Sequence, residues 1–202
     1  MDERSVVPRR FFVIDASVSR VADRRRAHEG MPGASASFIL LMSVMEHCRG
    51  FAASASVLRE WERNESPAGA RWRQDMALRD KFILEDVPPD TELRDGIRCL
   101  RHVSDSEKDI MLKDVHLIEA ALAFDRMILS WDRQARLHFL RCASLHHLFK
   151  GVIWISPDEC GGRFKRWIRL GADPEAADFL VDAGLRVPKS ALPRRGDRRR
   201  GR

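Results

Sequence analysis

Phe11-Phe12-Val13-Ile14-Asp15 is a short, unbroken apolar run that stops on an acid. A strand with one wet face alternates apolar and polar side chains. This one does not, so it reads as a strand buried on both faces, the habit of parallel sheets. Working outward, the same signature returns at Lys81–Val87, at Met127-Ile128-Leu129-Ser130 and at Gly151–Ser156, with a weaker version at Phe51–Ser54. Helical patterns lie between these runs. Residues 18–28 are charge-rich and read as an exposed helix or helical turn, and Met31-Pro32-Gly33 reads as a break. A helix from Ser35 or Ser37 to about Arg49 carries Phe38, Leu41, Met42 and Met45 on one face and ends at Gly50. Further helices are expected from Ser56, from Ser66-Pro67 to about Arg79, from Asp90 to about Leu100, over 114–124 with the stripe Leu117, Ile118, Ala121 and Leu122, and over 134–142. The alternation predicts an α/β sandwich around a mostly parallel sheet of about five strands.

The chain has 202 residues, enough for one domain with a sizeable core. Its net charge of +6 is concentrated at one end. Residues 194–202 hold six Arg against Asp197, and without them 30 basic and 29 acidic residues remain. A body built to cradle duplex DNA through bulk charge is not supported. The longest uncharged run, Gly30–Met45, is 16 residues with three Ser and falls short of a membrane span. Arg9-Arg10-Phe11-Phe12 resembles a twin-arginine signal, but Asp15 and Arg20 break the apolar stretch that should follow. Cys48, Cys99, Cys142 and Cys160 have no Cys-x-x-Cys spacing, which fits free thiols in a reducing cytoplasm. The expected organisation is a domain over 1–157, an extension over 158–188 anchored by Trp167, Ile168 and Leu170, and a basic tail over 189–202 without structure of its own.

In parallel α/β sheets ligands bind beyond the carboxyl ends of the strands. Asp15 follows the first strand and Asp132 the fourth, in Ser130-Trp131-Asp132. Asp114 opens the helix that leads into that fourth strand, and Glu60 lies early in the helix after the second. These places bring four carboxylates toward one sheet edge. Carboxylate oxygens are hard ligands suited to Mg²⁺ or Mn²⁺. A cation also relieves the repulsion that would otherwise raise their pKa values.

Val13-Ile14-Asp15-Ala16-Ser17, the Ser54 to Glu60 spacing, Lys113-Asp114-x-His116-Leu117-Ile118-x-Ala120-Ala121 and Ile128-Leu129-Ser130-Trp131-Asp132 together resemble the PIN domain family, which includes the VapC-type toxin ribonucleases. The resemblance covers roughly residues 10–157. It implies a PIN-like three-layer fold and a metal-dependent endoribonuclease that hydrolyses single-stranded RNA to 5′-phosphate and 3′-hydroxyl ends. The implied catalytic and metal-binding residues are Asp15, Glu60, Asp114 and Asp132, with Mg²⁺ or Mn²⁺ as the metal. Ser17 and Ser130 match the small hydroxyl positions that support the acids. Gln134 stands where many members carry a further acid or amide. Glu62 points about 200° away from Glu60 on a helix, and Glu60 is chosen because Leu58 and Trp61 leave it beside the packed face. The implied partners are RNA, an antitoxin protein if the chain is a toxin, and a second copy in a homodimer.

Each acid also has a structural reading. Asp15, Asp114 and Asp132 stand where helices begin, and Asp is a good N-cap; Glu60 alone reads as a solvated helix residue. His116 is two residues from Asp114, so on a helix the two point apart. His146-His147 lack a third ligand at zinc spacing. The five Trp read as core, with Trp131 singled out because it adjoins a candidate ligand. Arg20, Arg133 and Arg136 are candidate contacts to the RNA backbone, and the Arg tail is a second. The alternative to an enzyme is a PIN-like RNA-binding or protein-interaction module. A haloacid dehalogenase-like phosphatase is disfavoured, because Asp15-Ala16-Ser17 lacks the second Asp of its Asp-x-Asp motif.

Overall fold

The computed structural model describes residues 10–22, 32–47, 50–142, 145, 147–149, 151–159, 162–169 and 172. In chain order the elements are β1 (Phe11–Ile14), α1 (Ala16–Val21), α2 (Pro32–Glu46), β2 (Gly50–Ser54), α3 (Ala55–Asn64), α4 (Pro67–Leu78) and β3 (Phe82–Glu85). There follow α5 (Thr91–Arg98), α6 (Asp105–Ala123), β4 (Met127–Leu129), α7 (Arg133–Arg141), β5 (Ile153–Ile155), a 3-10 turn (Pro157–Glu159) and α8 (Gly162–Arg169).

The strands form one sheet in the order β3-β2-β1-β4-β5, and every pairing is parallel. Residues in register across such a sheet share a face. Phe12, Phe51 and Phe82 therefore lie on one side. There Phe51 packs on Trp61 of α3 at 4.7 Å and Trp72 of α4 at 5.9 Å, and Phe12 meets Trp167 of α8 edge-on at 6.1 Å. The next register row, Val13 with Ile128 and Ile128 with Trp154, faces the other way, where Trp154 meets Phe139 of α7. Helices thus cover both faces, and the chain is a three-layer α/β/α sandwich.

Most helix starts are where side-chain oxygens predict them. Ser54, Ser66, Asp90 and Asp132 each accept from the backbone of the first turn. Several boundaries differ from the sequence reading. Pro32 does not break the chain but opens α2, since its missing N–H costs nothing at a first helical position. Helix α1 is short and carries buried Ala16, Val18 and Ser19, so it is not an exposed segment; residues 23–30 lie outside the described residues. Strand β2, weak by composition, is buried along its whole length because it is paired on both sides. Strand β3 is shorter than Lys81–Val87, and as an edge strand it leaves Leu84 and Glu85 exposed.

The largest difference concerns α6. It begins at Asp105, not Asp114, under a capping box in which Ser104 and Glu107 satisfy each other's backbone. Asp114 is therefore in mid-helix. Of the stretch expected as an extension, α8 buries Trp167 and Ile168. Leu170, residues 173–188 and the basic tail lie outside the described residues.

Candidate active site

The strand order creates the site's location. β1 and β4 are neighbours, yet the chain leaves β1 toward β2 and leaves β4 toward β5. The two exits diverge and open a crevice at their carboxyl ends. Asp15 stands directly after β1, and Ser130 to Asp132 directly after β4.

Asp15 is held from several directions. Its backbone N–H donates to Leu129 O at 2.9 Å, tying it to β4. Its Oδ1 accepts from Ser17 N at 3.1 Å, the helix cap, and its Oδ2 accepts from Ser17 Oγ at 2.7 Å and from Ser130 Oγ. Ser17 Oγ in turn accepts from Trp131 N at 3.1 Å, and Ser130 Oγ accepts from Asp132 N at 2.9 Å. The two serines thus stitch the ends of β1 and β4 together through one carboxylate. Asp132 caps α7, its Oδ1 accepting from Ala135 N at 2.8 Å. The capping reading is correct for Asp15 and Asp132, and it leaves both beside the crevice.

Asp114 differs. It caps nothing, and it is buried at 4 % exposure. Its Oδ1 lies 3.5 Å from Lys113 Nζ, while its Oδ2 is buried without a hydrogen-bond partner. Burial pushes its carboxyl up to about 6; Lys113 opposes this, and the charges of Asp132 and Asp15 add to it. The three aspartates are therefore close enough to feel one another. Lys113 is raised, chiefly by Asp114 and further by Glu60 and Asp132.

Glu60 lies half-buried on α3 and is bound to another partner. Its Oε2 lies 3.0 Å from His116 Nε2. The hydrogen bond from His116 lowers the Glu60 carboxyl more than burial raises it, with help from the charges of His116, Lys113 and Arg20. Burial pulls the His116 imidazole down, but the hydrogen bond and charge of Glu60, the Lys113 carbonyl and Asp114 together carry it above its ordinary value. The sequence reading kept His116 off the metal but did not find this pair. Its partners are on α3 and α6, far apart in sequence, and no local spacing signals it. Lys113 was legible only as the neighbour of Asp114.

Other candidates separate clearly. Gln134 is exposed on the first turn of α7. Trp131 is half-buried and its indole N–H donates to Ser37 Oγ at 2.7 Å, which makes it a fastening to α2. Arg133 pairs with Asp158, and Arg136 donates to Trp154 O at 3.2 Å. Arg20 is exposed near Glu60. His147 is exposed, and His146, Cys48 and Cys160 lie outside the described residues.

The donors at this edge are carboxylate and hydroxyl oxygens, the chemistry of a hard divalent cation. The buried, unpartnered Asp114 oxygen fits such an ion. Among the described residues no three His, Cys, Asp or Glu side chains stand close enough together to hold a metal ion. Comparison with known proteins returns no matching family model, curated protein or solved structure. The PIN resemblance therefore rests on the residues quoted for it.

Proposed function

We propose that the chain is a Mg²⁺- or Mn²⁺-dependent endoribonuclease acting on single-stranded RNA, with Asp15, Asp114 and Asp132 as the metal-binding acids. The observation that carries this reading is Asp114: a buried carboxylate with an unpartnered oxygen, in the field of two more aspartates at the sheet's switch point. Burial raises the Asp114 carboxyl most and the charges of Asp132 and Asp15 add to it, and a bound cation would offset both effects. When bound, the metal would lower the pKa of a water and offset charge on the phosphoryl oxygens.

The chain's own groups have defined parts in this reading. Ser17 and Ser130 hold Asp15 in one orientation, and the capping bond does the same for Asp132. His116 positions Glu60, which serves at the rim as a ligand or water-orienting base. Lys113 offsets part of the acidic charge and stands ready for a phosphate oxygen. In this reading the protein works in the cytoplasm, and if it is a toxin its antitoxin covers the acidic edge. Among the described residues no helix is long and apolar enough to cross a membrane.

The test is cleavage of a generic single-stranded RNA with Mg²⁺, Mn²⁺ or EDTA, comparing wild type with Asp132→Asn. Metal-dependent cleavage that disappears in the variant is expected. Cleavage unchanged by the substitution would remove the assigned site. No cleavage with either metal would move the reading to an RNA-binding or protein-interaction module on the same fold.

A further inference from the structure

A separate concavity of about 530 Å³ lies beside the first turns of α6. Its walls are Cys99–Val103 between α5 and α6, Glu107 of α6, and His138, Arg141 and Cys142 at the end of α7. The volume suits a small organic ligand. Leu100 and Val103 supply apolar surface, and Arg101, His102 and Arg141 are exposed around it.

The polar groups here are unevenly matched. Glu107 is the one acid in the lining, and it is committed. Its Oε2 accepts from Ser104 N at 3.0 Å and Ser104 Oγ at 2.7 Å, and its Oε1 lies 3.4 Å from His138 Nδ1. His138 is 4 % exposed, and its Nε2 is buried without a partner. Arg101 and Arg141 are exposed, and the charge of Arg141, after the Ser104 hydrogen bonds and His138, helps hold the Glu107 carboxyl below its ordinary value. The cavity therefore holds an excess of donors beside an apolar wall. Guanidinium groups match phosphate oxygens in a planar fork, and the half-buried Leu100 and Val103 side chains offer apolar contact to a base.

We propose that this cavity is a nucleotide subsite, in which Arg101 and Arg141 hold a phosphate and the Leu100–Val103 wall receives the base. Glu107 and Asp114 are seven residues apart and lie on one face of α6, about 10 Å along its axis. A single RNA strand on the acidic edge reaches the cavity in a short step, an assignment of source that rests on the nuclease reading above.

The experiment measures binding in EDTA, where cleavage is silent, of labelled short oligouridylate, with uridine 5′-monophosphate and inorganic phosphate as competitors. Wild type is compared with the Arg101→Ala/Arg141→Ala double variant, whose exposed positions leave the fold intact by thermal melting. The expected result is oligouridylate binding weakened about tenfold or more, with a shallower salt dependence. In wild type the mononucleotide competes better than phosphate alone. The corresponding double Lys variant keeps most of the salt dependence but not the full affinity. Equal binding of all probes to wild type and the Ala variant would overturn the subsite. Mononucleotide binding lost while oligouridylate binding is unchanged would overturn RNA as its source. Binding is read in EDTA and cleavage in Mg²⁺ or Mn²⁺, so failure of the nuclease reading and failure of the subsite are read separately.

Discussion

Asp114 is the residue on which structure and chemistry pull in opposite directions. Its folded pKa of about 6 lies above the ordinary 3.8. The native state thus holds a proton that the unfolded chain has lost between these two values, and stability falls as pH rises across that window. Above about pH 6 the charged form is a standing cost of up to about 3 kcal/mol. Asp114→Asn is accordingly expected to raise the melting temperature at pH 7 in EDTA and to flatten the pH dependence between 4 and 6. The same variant should lose the stabilisation that Mn²⁺ confers on wild type. A lower melting temperature for the variant in EDTA would show that the carboxylate is held by partners and not left for a cation. Asp15→Asn, by contrast, disturbs a carboxylate that accepts three hydrogen bonds, and it should lower stability as well as cleavage, read by melting and RNA hydrolysis together.

At the scale of elements, α6 carries the most. It presents Asp114 to the crevice, His116 to Glu60 on α3, and Glu119 to Arg94 on α5 through two short bonds of 2.7 and 2.8 Å. Its start nine residues ahead of Asp114 is masked in the sequence because Asp114 is itself a good capping residue. The true cap, Ser104 with Glu107, precedes a stretch with few apolar residues. Ser104→Ala is expected to cost about 1 kcal/mol, a fall of roughly 2–4 °C in melting temperature, while metal-dependent cleavage persists. Loss of cleavage at unchanged stability would instead tie the cap to the site. The junction of α1 and α4 is tighter. A Cβ at Gly69 would strike the Ser19 side chain, with Ser19 O at 3.3 Å behind it. Gly69→Ala should therefore destabilise by about 1–3 kcal/mol, measured by urea unfolding, whatever its gain in helix propensity.

For the whole molecule, charge and fold are distributed separately. The body is nearly neutral and the six Arg of residues 194–202 carry most of the excess. If the tail contacts RNA, deleting residues 190–202 weakens RNA binding and flattens its salt dependence, measured as the slope of log affinity against log salt. An identical slope after deletion would remove the tail from the interface. The deletion spares Arg101 and Arg141, so its effect adds to that of the double variant if both are contacts.

The layer architecture is legible in the amino-acid sequence. Continuous apolar runs alternating with helical periodicity leave a buried parallel sheet as the compact solution, and Phe11–Ile14 and Met127–Leu129 show the pattern plainly. The sequence also marks Asp15 and Asp132 as strand-end residues, since Asp15 follows its run directly and Asp132 stands three residues beyond Leu129. Which strands are neighbours, and hence that these two ends share one crevice, emerges only when the chain packs. Packing likewise leaves one Asp114 oxygen buried without a partner and turns Glu60 to His116. Strand order, desolvation and side-chain pairing between distant segments are properties of packing, and local pattern carries no signal of them.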